Sequence, residues 1–224
     1  MLKNIIFDLD GTIVLTAGDI IFSLNYALKK AGIKKKIKYK DFKKVASKGS
    51  VKMIQNVLNK SSSKSIKKIN HLFLQHYQKN ICVKSRLKKN VSQLLRLCKR
   101  KKIKLFVSTN KSEKNAKLLL KKLDILDYFF FVAGSNTFKF KKPNPIHLKT
   151  LYKKFKIDKN QSIMIGDSKI DAECAKKSGT KFILVKNGYT NIHHNKIFSN
   201  FKVNTFKEIK YIGLFLFRSR FGHF

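Results

Sequence analysis

Ile5-Ile6-Phe7-Asp8-Leu9-Asp10-Gly11-Thr12 is a short apolar run that ends in two carboxylates two residues apart. Such a run reads as a buried strand that delivers acids to its C-terminal tip, where open α/β sheets carry out chemistry. In an extended segment residues i and i+2 point the same way, so Asp8 and Asp10 can face one bound ion or phosphate together. Gly11 then permits a sharp turn. Taken alone, the same residues also describe a strand end followed by an ordinary Asp-Gly turn. The choice rests on the remainder of the chain.

From Ala17 to Gly32, Ile20, Ile21, Leu24, Ala27, Leu28 and Ala31 recur at helical spacing, with Gly32 as a stop signal. Val51, Ile54, Val57 and Leu58 predict a shorter helix. After the Ser- and Lys-rich Lys60 to Ser65, a third is predicted by Ile66, Ile69, Leu72, Phe73, Tyr77 and Ile81. Residues 15–86 therefore read as all helix. From Val91 the pattern alternates: helix at Val91–Cys98, strand at Ile103–Val107, helix at Ala116–Leu123, strand at Phe129–Ala133, helix at Ile146–Phe155, strand at Ser162–Ile165, helix around Ala172 and Ala175, strand at Phe182–Val185. The expected fold class is α/β, a doubly wound, mainly parallel sheet with a Rossmann-like core. Residues 1–14 and 87–224 would form that core, and 15–86 an inserted all-helical cap lying over the strand tips as a lid. Asn187 to Asn204 is polar and reads as loop.

The totals narrow the class. A chain of 224 residues with 43% apolar residues has ample length for a buried core. Cys82, Cys98 and Cys174 are too few and too scattered for a disulfide framework or a zinc cluster, which points to a reducing compartment. The apolar run before Asp8 is too short for a signal peptide. Even the greasiest segment, Tyr211 to Phe217, falls short of the roughly 18 residues of a membrane span. A cytoplasmic location without membrane contact is expected. The net charge of +39 raises nucleic acid as a partner, yet the basic residues are nearly all Lys, with only five Arg, and are spread over every segment. Lys, Asn, Ile and Phe are all encoded by A/T-rich codons, so base bias alone gives this composition. The expectation is weak, salt-sensitive association and no specific nucleic-acid partner. Oligomeric state is not legible.

Three further sites fall where this architecture puts strand tips. Val107-Ser108-Thr109-Asn110-Lys111 offers a hydroxyl and an amide ahead of a helix N-terminus, with a plain N-cap over Ser108 to Ser112 as the simpler alternative. Lys141-Lys142-Pro143-Asn144-Pro145 holds both prolines of the chain; proline restrains the lysine before it, though a structural turn explains the stretch equally well. Ile163-Met164-Ile165-Gly166-Asp167-Ser168-Lys169-Ile170-Asp171 is a second buried strand running into Gly-Asp, with another carboxylate one helical turn on. Acids number only 12 in the chain, so two strand tips carrying two each are not a matter of composition. Four carboxylates near one point repel unless a cation sits among them, and hard oxygen ligands imply Mg²⁺ together with a substrate phosphate.

The order Asp8-Leu9-Asp10-Gly11-Thr12, Ser108-Thr109-Asn110, Lys142-Pro143 and Gly166-Asp167-Ser168 with Asp171 resembles the four motifs of the haloacid dehalogenase superfamily of phosphatases. Phe7 to Ile20, Thr109-Asn110-Lys111 and Gly166 to Gly179 are most similar to the bacterial phosphoglycolate phosphatases. The resemblance implies hydrolysis of a small phosphate ester, 2-phosphoglycolate, through an aspartyl-phosphate. Asp8 would be the nucleophile and Asp10 the proton carrier. Thr109, Asn110 and Lys142 would bind the phosphate, and Lys142 would also offset charge on Asp8. Mg²⁺ would be held by Asp8, the Asp10 backbone carbonyl and Asp167; Gly11, Ser168 and Asp171 would support the site, Asp171 by orienting metal-bound water or Lys142. The dehalogenase branch lacks an acid at Asp10, so phosphoryl transfer is favoured. Departures from the pattern are Leu15-Thr16 after Val14, Ser47-Lys48-Gly49 in the cap, Lys89-Asn90 at its return, and Asn136 after the third strand. They leave the catalytic set intact and the substrate open, with a sugar-phosphate phosphatase, a nucleotidase or a phosphotransferase as alternatives; the basic surface separately leaves open a non-catalytic binding protein.

Overall fold

Between Asn4 and Val203 the chain runs β1 (Asn4–Phe7), β2 (Val14–Leu15), α1 (Ala17–Lys30), α2 (Phe42–Val45), α3 (Ser50–Leu58), α4 (Ser63–Lys79), β3 (Arg86–Leu87), α5 (Val91–Arg100), β4 (Lys104–Ser108), α6 (Glu113–Lys122), β5 (Phe131–Ala133), α7 (Ile146–Phe155), β6 (Ser162–Gly166), α8 (Lys169–Ser178), β7 (Lys181–Val185) and β8 (Phe201–Val203). The computed structural model describes residues 2–46, 49–59 and 62–209; Tyr211 to Phe217 and Ser47-Lys48 lie outside them. Six strands form one sheet in the order β5-β4-β1-β6-β7-β8, every pair parallel. From β1 the chain first builds outward through β4 to β5 and then returns to β1's other side with β6. That reversal makes the tip of β1 the topological switch point, where the crevice of an open α/β sheet lies. The register sharpens it: Phe7 pairs with both Val107 and Ile165, so the residues after β1, β4 and β6 emerge at one level.

The sheet is buried on both faces, and alternate residues sort cleanly. Ile5, Phe7, Leu105, Val107, Ile163 and Ile165 belong to one apolar cluster. Ile6, Phe106 and Met164 belong to the other, with Leu148 and Leu151 of α7 and Ala172 and Ala175 of α8. The first cluster does not stop at the sheet. It is continuous through Leu9, Ile13 and Val14 into Leu24 and Leu28 of α1, Ile54 of α3 and Ile69 and Phe73 of α4.

Helix α1 follows its pattern because Leu24, Ala27 and Leu28 fall on one face. It ends where Gly32 takes the left-handed conformation (φ 76°), with the Ile33 N–H returning to the Leu28 carbonyl. The expectation that residues 15–86 are all helical is corrected at both ends. Val14 and Leu15 pair antiparallel with Leu87 and Arg86, a two-stranded ribbon at the two crossings into the insert. Two residues per strand leave no periodicity to read. Asn187 to Asn204 also holds more than loop, since β8 extends the sheet beside β7; its exposed Phe201 and Lys202 give it no buried alternation.

One buried charge ties the insert together. Asp19, in the first turn of α1 and 0% exposed, accepts the backbone N–H groups of Lys84 (2.7 Å) and Ser85 (2.9 Å) and the Ser85 hydroxyl (2.6 Å). Those partners immediately precede β3, so a single carboxylate joins the start of the insert to its end. Asp19→Ala strands three donors, the two of Ser85 buried, and should cost about 2–4 kcal/mol in urea unfolding; a loss below about 1 kcal/mol would show that water replaces the carboxylate.

Candidate active site

Asp8 follows the last residue of β1, and its N–H still donates to the Ile165 carbonyl, which holds the backbone in line with β6. Its Oδ1 accepts from Lys142 Nζ at 2.7 Å and its Oδ2 from the Thr12 hydroxyl at 2.9 Å. Lys142 is 1% exposed and spends all three ammonium donors, on Asp8, on Asp171 Oδ1 (2.6 Å) and on the Ser108 carbonyl (2.5 Å). Asp171 in turn accepts the Ser168 hydroxyl at 2.6 Å and the Ser168 N–H at 3.2 Å, the capping box that opens α8. Asp167 accepts from the Tyr189 N–H, and its Oδ1 lies 3.1 Å from the Thr12 hydroxyl.

Carboxylate oxygens of Asp8, Asp167 and Asp171 lie within 4.8 Å of one another, all buried. Three carboxylates face one ammonium. The Thr12 hydroxyl has a single proton and two acceptors within reach, so one carboxylate oxygen always lacks a donor there. Burial pushes the Asp8 carboxyl up to about 8, against the pull of Lys142 and with the repulsion of Asp171 and Asp167. Burial and then repulsion from Asp171 push Asp167 up to about 6. Lys142 is held protonated despite burial by Asp171 and Asp8. Excess negative charge, hard oxygen donors and a shortage of protons are what a divalent cation relieves, and the residues fit one.

Backbone crowds this cluster from two sides. A Cβ on Gly188 would come within 2.0 Å of Asp167 Oδ2, and one on Gly11 (φ 82°) within 2.7 Å of the same atom. Only glycine lets both loops approach this closely.

Asp10 stands apart from the cluster. Its Oδ2 pairs with Lys111 Nζ at 3.0 Å, while its Oδ1 is buried without a partner. Lys111 Nζ also donates to the Tyr77 hydroxyl of α4 at 2.9 Å and sits over the Tyr77 ring, 4.6 Å from its centroid. Asp10 and Tyr77 raise the Lys111 pKa in spite of burial, and burial pushes the Tyr77 phenol up to about 12. Thr109 is 1% exposed, and its hydroxyl accepts the Lys111 N–H at 3.2 Å; Asn110 donates to the Lys142 carbonyl at 3.0 Å. A plain N-cap over Ser108 to Ser112 is not what forms, because the Ser112 side chain makes no capping bond to α6.

Sequence reasoning missed Lys111, Tyr77, Tyr189 and Lys88. Tyr189 donates from its backbone to Asp167, and its hydroxyl accepts the Ala17 N–H at 2.8 Å. Lys88 Nζ donates to the Asn187 carbonyl at 2.7 Å; burial pulls its pKa down to about 8, against Asp167. Against 51 basic residues, neither lysine carries a signal in composition. Two of the departures have local accounts: Asn90 takes the left-handed conformation (φ 69°) ahead of α5, and Asn136 Oδ1 accepts the Glu113 N–H that opens α6.

Residues 5–185 match the family model described as haloacid dehalogenase-like hydrolase. The chain belongs to this family. A phosphoglycolate phosphatase of Mesorhizobium japonicum is 33% identical over 194 residues, 84% of this chain and 85% of that one. The phosphoglycolate phosphatase of Aquifex aeolicus is 30% identical, over 86% of this chain and 88% of its own. A crystal structure of a predicted phosphoglycolate phosphatase from Haemophilus somnus 129PT superposes with a TM-score of 0.89 at 27% identity, covering 95% of this chain and 98% of that one. As a member of this hydrolase family with such relatives, the chain is a phosphatase of phosphoric monoesters, an α/β core carrying an inserted helical cap. No helix among the described residues is long and apolar enough to cross a membrane.

A pH dependence follows from the raised carboxylates. Between the ordinary 3.8 and the folded value of about 8, Asp8 binds more proton folded than unfolded, so its contribution to stability is lost as pH rises. The slope reaches about 1.4 kcal/mol per pH unit, and Asp167 adds to it up to about 6. Lys142, protonated throughout, contributes no slope in that window. In chelator the unfolding midpoint should fall from pH 5 to pH 8, and the gain on adding a divalent cation should grow over the same range. A gain that shrank with pH would contradict this charge balance.

Proposed function

We propose that the chain is a Mg²⁺-dependent phosphatase of 2-phosphoglycolate, releasing glycolate and phosphate. The observation that carries the chemistry is the separation of the two acids: Asp8 sits inside the carboxylate cluster, while Asp10 is turned out of it with a free buried oxygen. Asp8 attacks phosphorus in line and becomes an aspartyl-phosphate, and Asp10 protonates the departing alkoxide, then takes a proton from the hydrolytic water. Asp8, the Asp10 backbone carbonyl and Asp167 would hold Mg²⁺, whose chemistry there is to neutralise phosphoryl charge.

Lys142 has no N–H to spare, so it acts by charge, holding the Asp8 oxygen in place and offsetting an incoming phosphoryl group. Ser168 and Asp171 position that lysine. Thr109 donates its hydroxyl to a phosphoryl oxygen, while Asn110 braces the loop against Lys142. Residues 15–86 serve as the cap over a core of 1–14 and 87–224, excluding water on closure. The substrate assignment is supported by the names of the relatives that match along most of their length.

A panel of phosphate esters, assayed with Mg²⁺ and with EDTA, should place 2-phosphoglycolate among the best substrates and show activity only with metal. A clear preference for a sugar phosphate or nucleotide would replace the substrate. Asp8→Asn should lower turnover by roughly three orders of magnitude or more, and near-native rates in that variant would remove Asp8 from the nucleophile's role. Asp10→Asn should harm alkyl phosphates more than p-nitrophenyl phosphate, whose phenolate leaves without a proton.

A further inference from the structure

Among the described residues, Lys111 is the one ammonium in direct contact with Asp10. Its side chain is 7% exposed, and among the described residues two of its donors are placed, one on Asp10 Oδ2 and one on the Tyr77 hydroxyl. An ammonium has three donors, so one remains. Tyr77 belongs to α4 in the cap, and its ring packs against the same ammonium. The phenol, pushed up to about 12 by burial, stays a neutral donor at physiological pH. Beside this pair lies the partnerless Oδ1 of Asp10.

The chemistry of the ester says what meets such a pair. Asp10 delivers a proton to the ester oxygen, so whatever is bonded to that oxygen lies on Asp10's side of the phosphorus. In 2-phosphoglycolate a single methylene separates the ester oxygen from a carboxylate. A group that touches Asp10 at 3.0 Å therefore stands where that second anion must go. Lys142 cannot serve, because its three donors are taken at Asp8, Asp171 and Ser108.

We propose that Lys111, held in place by Tyr77 of the cap, binds the carboxylate of the leaving alcohol and makes the enzyme selective for esters whose leaving group carries an anion close to the ester oxygen. The inference rests on the phosphatase reading above and names the residues that choose its substrate. Part of the selectivity arises on closure, since one half of the pair is carried by the cap and the other by the core.

The test compares 2-phosphoglycolate with ethyl phosphate, which keeps the ester oxygen and its methylene and replaces the carboxylate by a methyl group. Wild type should prefer the carboxylated ester. Lys111→Met should lower that preference, the ratio of the two kcat/KM values, about 10- to 100-fold, mainly through KM. Tyr77→Phe should lower it several-fold. Glycolate should inhibit wild type, measured on ethyl phosphate, and lose potency against Lys111→Met, while inhibition by inorganic phosphate stays comparable. If Lys111→Met does not fold, Tyr77→Phe and glycolate inhibition of wild type carry the test. Equal losses on both esters would mean that Lys111 acts only by holding Asp10, which overturns the subsite and leaves the substrate assignment standing. A wild type that favours a different anion-bearing ester, with that preference lost in Lys111→Met, would overturn the substrate and keep the subsite. Indifference of wild type to the anion would overturn the subsite.

Discussion

The constraint on which this molecule turns is a shortage of positive charge at one buried point. Three carboxylates meet at the switch point, and among the described residues a single ammonium touches them, with every donor spent, while Lys88 acts on Asp167 only from a distance. Buried charges that are left unpaired are costly, and here the cost falls on groups delivered by two neighbouring strand tips. The sheet cannot relax it, because β1, β4 and β6 are locked in register with buried side chains on both faces. Negative potential is therefore concentrated where the hydrogen bonds permit least movement, and the demand for a balancing positive charge is a property of the fold.

The second acid is governed by different neighbours. Asp10 is two residues from Asp8, yet its carboxylate faces Lys111 and Tyr77 and is not part of the cluster. One acid lies in the carboxylate cluster against Lys142, the other outside it against Lys111. Proximity in sequence thus supports two separate electrostatic environments, which is how a pair of identical side chains is given different tasks.

Much of this was legible in the amino-acid order. The strand-helix alternation from Val91 onward is strong because each segment repeats its apolar period several times, and the carboxylates stand out because acids are scarce. Asp8, Asp10, Thr109, Asp167 and Asp171 lie at the tips of β1, β4 and β6 or in the loops and helix beside them, and Lys142 reaches them from the loop between β5 and α7. What escaped notice had no local signature. The β2–β3 ribbon and β8 are two and three residues long per strand. Lys111 stands in a stretch that carries the family resemblance, yet nothing in the amino-acid order shows that its ammonium is buried against Asp10, and Tyr189 reaches Asp167 through its backbone, which any residue type possesses. Tyr77 was read as one more apolar position of α4, which describes its ring and overlooks its hydroxyl.

The apolar cluster that runs unbroken from the inner face of the sheet into α1, α3 and α4 bears on how such a protein diversifies. An insert that shares its interior with its host cannot be exchanged as a cassette between relatives, because a foreign one would arrive with the wrong shape against Leu9, Ile13 and Val14. New specificities are most readily gained at positions beside the carboxylates that do not belong to that interior, such as the turn after β4 that carries Lys111. Evolution of this chain is thereby channelled into a few polar side chains, while the packing between lid and body is inherited as a unit.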